Sequence, residues 1–535
     1  MSRRKCNGQV GMRHFSLANL MARETMADKL DGFQVGTTEK SEDNGRNMSA
    51  WKALSIYWKA AAWTMFLSLC IVMRAYDIET VGNFFAVPSF QQRYGTLVEG
   101  SHYQIPAAWQ VALSVSSLVG QIFGSILVVY PMEWFGCRYT LPMCLLLTII
   151  LIVLQFIVPS IELLTLSEYM SGFIWGSYCV LIATFASEVL PTPIRGLFTG
   201  YINSCYVFGR FISTGITTGF DTRQDLYGFI IPYAVQIGWP LIIVAGLYFL
   251  PESPWWFVRR GRVVDAEKSL RRLCNANSPR VDTSKAVELM MQTGILEQEL
   301  ESGVGFVDCF LGTSRRRTEI CMMVFFIRNV SGPLSQITTP PAIDSRGSPA
   351  FPSAAGFNVT GVVGTCLAII PLMYFGRRRL YLTAMSFFLP CLLVLAMLAV
   401  AQEIYVDQSY HAQRAVFLAI LDFIWQVSLG PLSYVITCEI PSTRLRSRTI
   451  SIAIMFDGLT GLLTTVIAPY LLCANGLKDS KKVEFASAGV ILAAFAWCFL
   501  RLPESKDRTF QQLDLMFEEG VGTMEFAEYK FDAED

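Results

Sequence analysis

Apolar runs of roughly 20 residues, the length that crosses the hydrocarbon core of a bilayer, recur in series along this chain. One such run fits a buried core helix. Ten or more in succession do not fit a soluble fold. Soluble domains carry about a quarter of their residues as charges, whereas only 16% of these 535 residues are charged and 53% are hydrophobic. The charges gather in short clusters between the runs. An all-α membrane protein is the expectation.

The runs predict twelve transmembrane helices at 62–85, 107–130, 139–158, 167–189, 197–219, 230–250, 319–341, 353–374, 380–402, 411–437, 449–472 and 485–501. Residues 1–55 read as a disordered cytoplasmic tail, 56–250 as an N-terminal six-helix half, and 318–502 as a C-terminal half. The polar stretch 251–317 reads as a cytoplasmic linker with short surface helices, among them Val264–Leu273, and 503–535 as a cytoplasmic tail. No short apolar region precedes Trp51 as a cleaved signal would require. The first span is expected to direct insertion.

Short cytoplasmic loops collect Lys and Arg. With both termini inside, those loops hold Arg138, Arg195, Arg259, Arg260, Arg262, Arg315–Arg317, Arg377–Arg379, Arg444, Arg446 and Arg448. The outside loops then hold little beyond Arg93 and Arg223, except for Lys478, Lys481 and Lys482 in the last of them. The seventh span is the poorest. Its apolar character stops at Arg328, and Pro333, Pro340, Pro341, Asp344, Arg346, Pro349 and Pro352 follow. The Arg clusters on either side need an even number of crossings between them, so a broken seventh helix is expected there.

Three strings occur twice, in the same order and offset by about 240 to 252 residues. Glu133-Trp134-Phe135-Gly136-Cys137-Arg138 is echoed by Tyr374-Phe375-Gly376-Arg377-Arg378. Glu188-Val189-Leu190-Pro191 leading to Arg195 is echoed by Glu439-Ile440-Pro441 leading to Arg444 and Arg446. Leu250-Pro251-Glu252-Ser253 is echoed by Leu502-Pro503-Glu504-Ser505. Each falls at a predicted cytoplasmic helix end. Parallel duplication of a six-helix unit is typical of secondary transporters, whose substrate site lies near the midplane between the halves. Glu133, Arg138, Glu188, Arg195, Glu252, Arg378, Glu439, Arg444 and Glu504 are the candidate cytoplasmic gate, able to pair when the halves close.

A net charge of zero leaves no basic footprint for nucleic acid. Three histidines and the lack of any CxxC pair give no reason to expect a metal or cofactor. Most of the cysteines sit inside apolar runs and read as small hydrophobes. No nucleophilic constellation suggests an enzyme, and no charged ring or filter repeat suggests a channel.

The string Pro251-Glu252-Ser253-Pro254-Trp255-Trp256-Phe257-Val258-Arg259-Arg260-Gly261-Arg262, running on to Leu273, resembles the loop after the sixth helix in sugar porters of the major facilitator superfamily. Its Trp-Trp variant is similar to that of fungal α-glucoside (maltose-type) permeases. Tyr76-Asp77 with Gly82–Pro88 and Phe90–Gly95 looks like their first helix and following loop. Pro503-Glu504-Ser505 through Arg508-Thr509-Phe510 and Leu513-Asp514 resembles their C-terminal signature. The resemblance runs from about Ser55 to Phe517. It implies uptake of a sugar, an α-glucoside such as maltose, across the plasma membrane by alternating access, with protons as the coupling ion and the chain acting as a monomer. It implies Asp77 and Arg446 as proton-coupling charges, and a substrate site including Arg210, Arg328, Asn329, Trp425 and Gln426.

Ionisable residues at membrane depth are costly and usually functional. Here they are Arg74, Asp77, Arg210, Arg328, Asp422 and Asp457. The family's first helix reads Glu-Gly-Tyr-Asp, whereas this chain has Arg74-Ala75-Tyr76-Asp77. Residues three apart share a helix face, so Arg74 is expected to pair with Asp77 and hold it ionised. Gln121 and Arg210 stand where an acid and an amide are usual. An altered substrate bearing a carboxylate, a non-transporting sugar sensor, and a degenerate paralogue that has lost proton coupling all stay open.

Overall fold

The computed structural model of the protein describes residues 49–98, 102–220, 223, 225–275, 282–300, 305–337, 351–405, 409–472 and 480–529. Residues 1–52 and 53–535 form separate units. All packing described below lies within the second. Residues 1–48 of the expected tail 1–55 and residues 338–350, which include the end of the seventh span, lie outside the described residues, as does Lys478; the rest of that tail from Ala50 is helical.

The first part of the chain builds α1 (Ala50–Leu67), α2 (Leu69–Phe84), α3 (Pro88–Tyr94), the hairpin β1 (Thr96–Val98) and β2 (His102–Gln104), α4 (Ala107–Leu127), α5 (Val129–Phe135), α6 (Cys137–Ile157), α7 (Ile161–Val189), α8 (Thr192–Phe220), α9 (Tyr227–Val235) and α10 (Gly238–Leu247). The linker holds α11 (Pro254–Arg259), α12 (Val263–Leu273) and α13 (Thr283–Leu300). The second part builds α14 (Ser314–Ile337), α15 (Phe351–Leu367), α16 (Ile369–Tyr374), α17 (Arg377–Tyr405), α18 (Ser409–Val427), α19 (Leu429–Glu439), α20 (Arg446–Leu472) and α21 (Ser480–Arg501). The tail adds α22 (Phe510–Glu518).

Among the described residues, eight helical segments are long and apolar enough to cross a membrane, and the apolar helices Asn358–Tyr374 and Phe485–Arg501 are shorter. α8 and α14 are equally long but carry charge: Arg195 and Arg210 on one, the Arg315–Arg317 cluster and Arg328 on the other. Among the described residues the expected break in the seventh span does not fall between Ser314 and Ile337, and the rest of that span, 338–341, lies outside them. α14 runs without interruption from Ser314 through Arg328 and Pro333 to Ile337. Helix continues there because Arg328 and Asn329 find polar partners inside the protein, which hydropathy does not register.

Local signals set the helix ends. Proline lacks a donor N–H and disfavours helix at the residue before it, so Pro191 separates α7 from α8. Pro254 occupies the first turn of α11, where its missing N–H costs nothing. Thr509 and Gln512 form a reciprocal capping box that starts α22.

Two packing features position the interior. Gly120 and Gly124 of α4 lie against Gly172 and Gly176 of α7, and a Cβ on any of them would fall 1.8–2.4 Å from a carbonyl oxygen of the other helix. Small residues four apart let membrane helices approach backbone to backbone, and this seam sets the Gln121 backbone against Gly176. At the hairpin end, Phe84, Phe90, Tyr94, Phe229 and Tyr233 form an aromatic cluster with Val81, Ile105 and Leu164. Phe84 stacks on Phe90 at 5.3 Å and meets Tyr233 edge-on at 4.9 Å. Such pairs contribute about 0.5–1.5 kcal/mol each beyond area burial.

Candidate functional site

A polar network lies in the interior where α2, α4, α7 and α8 meet α14, α18, α19 and α20. Arg74 on α2 is buried. Its guanidinium donates to the Cys179 thiol and the Tyr206 hydroxyl, and to Gln121 Oε1 at 2.5 Å. Gln121 Nε2 donates onward to Asp457 Oδ2 at 3.2 Å. Asp457 Oδ1 accepts from Arg328 at 3.1 Å and from Asn329 at 3.0 Å, and Asn329 also reaches Thr460 at 2.7 Å. Gln121 thus ties the first part of the chain to the second through one carboxylate.

Arg328 sits among aromatic faces, 5.3–5.6 Å from the ring centres of Tyr206, Trp425 and Tyr434. Trp425 Nε1 donates to Ser331 Oγ at 3.0 Å. Beside it, Asn203 donates to Gln426 at 3.1 Å. Rings with polar edges, amides and a buried ion pair make a surface that can stack on a polyhydroxylated ring and exchange hydrogen bonds with its hydroxyls.

The structure brings Arg328, Asn329, Trp425 and Gln426 together but sets Arg210 apart, paired with Glu79 at 3.4 Å. The expected Arg74–Asp77 pair is not formed. Asp77 accepts from Trp175 Nε1 and Gln236 Nε2, each at 2.9 Å. Sharing a helix face let the two side chains meet, but tertiary neighbours turned them apart. Asp77 and Arg446 are not brought together either. Arg446 lies at the linker end, its guanidinium 3.6 Å from the ring centre of Phe510, with Arg195 over the same ring at 3.8 Å.

At the linker end the repeated strings build matching cages. The Glu252 carboxylate accepts from the backbone N–H of Cys137, Arg138 and Ser253 at 2.9–3.1 Å. Glu504 accepts from those of Arg377, Arg378 and Lys506 at 2.6–3.2 Å. A Cβ at Gly136 or Gly376 would lie 2.2 Å from the respective carboxylate oxygen, so both loops require glycine. Burial pushes the Glu252 carboxyl up from its usual range, against the pull of its backbone donors. Ser253 donates to Glu188 at 2.5 Å and Ser505 to Glu439 at 2.7 Å.

Ion pairs complete this end: Glu188 with Arg259, Glu439 with Arg377, and Glu133 with Arg448 at 2.8–2.9 Å. The last joins α5 to α20. Arg138 donates to Tyr248 O at 3.2 Å, and Arg378 to Thr523 O and Phe499 O. Arg444 lines, with Glu133, Cys137, Glu188, Arg259 and Met290, a cavity of about 450 Å³.

Sequence reasoning missed Glu79, Glu168 and Tyr206. Glu168 was legible as a lone acid inside an apolar run, whereas Tyr206 carried no signal.

The chain matches the family model of sugar (and other) transporters over residues 63–517. It is similar to a general α-glucoside permease of Saccharomyces cerevisiae, 30% identical over 94% of this chain and 82% of that relative. A maltose permease of the same yeast is 29% identical over 95% of this chain and 84% of its own. Among solved structures, the proton:xylose symporter XylE bound to 6-bromo-6-deoxy-D-glucose aligns with a TM-score of 0.71 at 19% identity, over 86% of this chain and 99% of that one. That likeness establishes the major facilitator fold.

Proposed function

Because this chain belongs to the sugar (and other) transporter family and is a multi-pass membrane protein of the major facilitator fold, we propose that it carries an α-glucoside such as maltose across the plasma membrane by alternating access. The observation that carries this reading is the Arg74–Gln121–Asp457–Arg328 chain of hydrogen bonds, which links the two parts of the bundle in their shared interior. A solute bound there touches both sets of helices, so its binding can bias their relative motion. Named relatives that are α-glucoside and maltose permeases support the substrate class.

In this reading the eight long apolar segments, the two shorter ones, α8 and α14 make twelve spans in two six-helix halves. Both termini and the linker are cytoplasmic, and the chain is a monomer. The caged glutamates and the ion pairs around Glu133, Glu188 and Glu439 then close the cytoplasmic side. Arg328, Asn329, Trp425 and Gln426 contact the sugar, and protons drive accumulation through Asp77.

Uptake of radiolabelled maltose, trehalose and turanose in cells lacking their own permeases tests the transport. Uptake above empty vector, with medium alkalinisation on sugar addition, is expected. No uptake of any α-glucoside removes the proposal, and binding without uptake favours a sensor. A flat pH trace with uptake removes only the coupling.

A further inference from the structure

Two buried carboxyls near the hairpin end have only neutral hydrogen-bond donors. Asp77 is fully buried and Glu168 is 2% exposed. Both lie seven residues from a helix end, Asp77 from that of α2 at Phe84 and Glu168 from that of α7 at Ile161. At about 1.5 Å per residue each lies roughly 10 Å inside its own helix. Asp77 accepts from Trp175, seven residues along α7 from Glu168 and on the same face. It also accepts from Gln236, one turn beyond Tyr233, whose hydroxyl points at Glu168 from 3.5 Å. The same two elements therefore hold both acids, and each lies within the other's electrostatic reach.

Among the described residues no cation is bonded to either acid. Arg74, on the same helix as Asp77, is engaged by Cys179, Tyr206 and Gln121. Arg210 pairs with Glu79, and Arg93 donates to Val158 O and lies over Tyr94 and Phe229. The remaining titratable neighbours are phenols: Tyr233 on Glu168, Tyr76 donating to Pro232 O, and Tyr94 donating to Val158 O. Each acid has one amide that donates to it, Gln236 to Asp77 and Gln155 to Glu168 at 2.8 Å. The oxygens of both amides are buried acceptors without a donor. The cluster is short of hydrogens.

Two desolvated carboxylates that feel each other's charge and have no cation beside them cannot both stay ionised in such surroundings. We propose that Asp77 and Glu168 form a proton-sharing carboxyl pair, with Glu168 a second proton-binding residue of the transport cycle. Its transport role rests on the proton-coupled reading above, but the sharing of a proton does not. Position supports the pairing: the aromatic cluster at the hairpin end includes Tyr233, whose hydroxyl faces Glu168, and Phe84, two turns along α2 from Asp77. A proton from that side would meet this pair before the Arg74–Asp457 network. Asp77 supplies the link onward, since Arg74 is one turn away on its own helix.

The test is infrared difference spectroscopy on the full-length chain in detergent, recording the carbonyl band of protonated carboxyl groups against pH. Wild type minus Glu168→Gln and wild type minus Asp77→Asn are each expected to contain this band at neutral pH. In either variant the remaining acid, freed of its like-charged neighbour, should deprotonate at least about one pH unit lower. An unchanged midpoint in Glu168→Gln, or no protonated band in wild type above mild acidity, overturns the pair. Should Glu168→Gln fail to assemble, Gln155→Leu deletes the main donor on Glu168. The band is then expected at higher frequency, and an unmoved band counts against Glu168 as a proton holder. In vesicles, Glu168→Gln is expected to lose pH-driven sugar accumulation at least tenfold while retaining sugar exchange. Unchanged accumulation overturns its transport role. The spectra stay informative if the chain transports nothing, so failure of the pair and failure of the transport reading are distinguishable.

Discussion

Arg259 of the linker helix holds Glu188 at 2.8 Å, whereas the corresponding Glu439 is held at 2.9 Å by Arg377, the residue after Gly376. The residue after Gly136 is Cys137, buried on the same cavity as Glu188 and Arg259. The linker thus supplies in one place the cation that a loop supplies in the other. Arg259→Ala is expected to lower stability by about 1–2 kcal/mol, since Glu188 is buried while Arg259 is partly exposed. Cys137→Arg should restore most of that loss, the cavity having room for the side chain. Thermal melts of the single and double variants check the rescue, and a double variant no better than Arg259→Ala alone would contradict the equivalence.

The two glycine cages differ in one respect. Gly136 has φ +83°, a conformation L residues rarely adopt, and Gly376 does not. Both alanine variants collide with a carboxylate, but only Gly136→Ala adds backbone strain, of order 1–3 kcal/mol. Gly136→Ala is expected to melt lower than Gly376→Ala. Equal losses would place the whole cost in the collision.

Burying the Arg328–Asp457 pair takes two charges out of water. Removing one partner from such a pair costs about 3–5 kcal/mol, whereas replacing both with apolar residues is often nearly neutral. Arg328→Met should therefore be less stable than Arg328→Met with Asp457→Leu. Sugar binding is expected to be lost in both. Full binding in the double variant would remove the pair from the substrate site.

The raised Glu252 carboxyl makes a signed prediction. A folded value above the ordinary one near 4.5 means its contribution is present below that pH and lost as pH rises through the folded value. Glu252→Gln cannot ionise. The stability advantage of wild type over this variant should shrink as pH rises above about 4.5. An advantage that grows instead would reverse the assigned direction.

Phe510 lies between the guanidinium groups of Arg195 and Arg446. Desolvated cation–π contacts reach about 2 kcal/mol. Phe510→Leu keeps the apolar volume and loses the ring face, so a loss of about 2–4 kcal/mol is expected for the two contacts together. Phe510→Tyr should lose far less. A Leu variant as stable as the Tyr variant would show that volume alone matters.

The long apolar helices and the paired strings were legible in the residues themselves, because hydrocarbon length and repeated spacing are written along the chain. Val264–Leu273 was anticipated to within one residue of α12. The unbroken helix through Arg328 and Pro333 was not. Hydropathy scores each residue as though it faced lipid, while Arg328 faces Asp457 and four aromatic rings.

Sequence by itself determined that this protein is a membrane bundle of the major facilitator kind, since oily length and motif order do not depend on what a side chain touches. Only the tertiary structure decided the partners of its buried charges: Arg74 with Gln121, Asp77 with Trp175 and Gln236, Arg328 with Asp457. Those partners come from helices up to 159 residues apart. A helix face sets the direction of a side chain, but the nearest donor or acceptor in that direction exists only once the helices have packed.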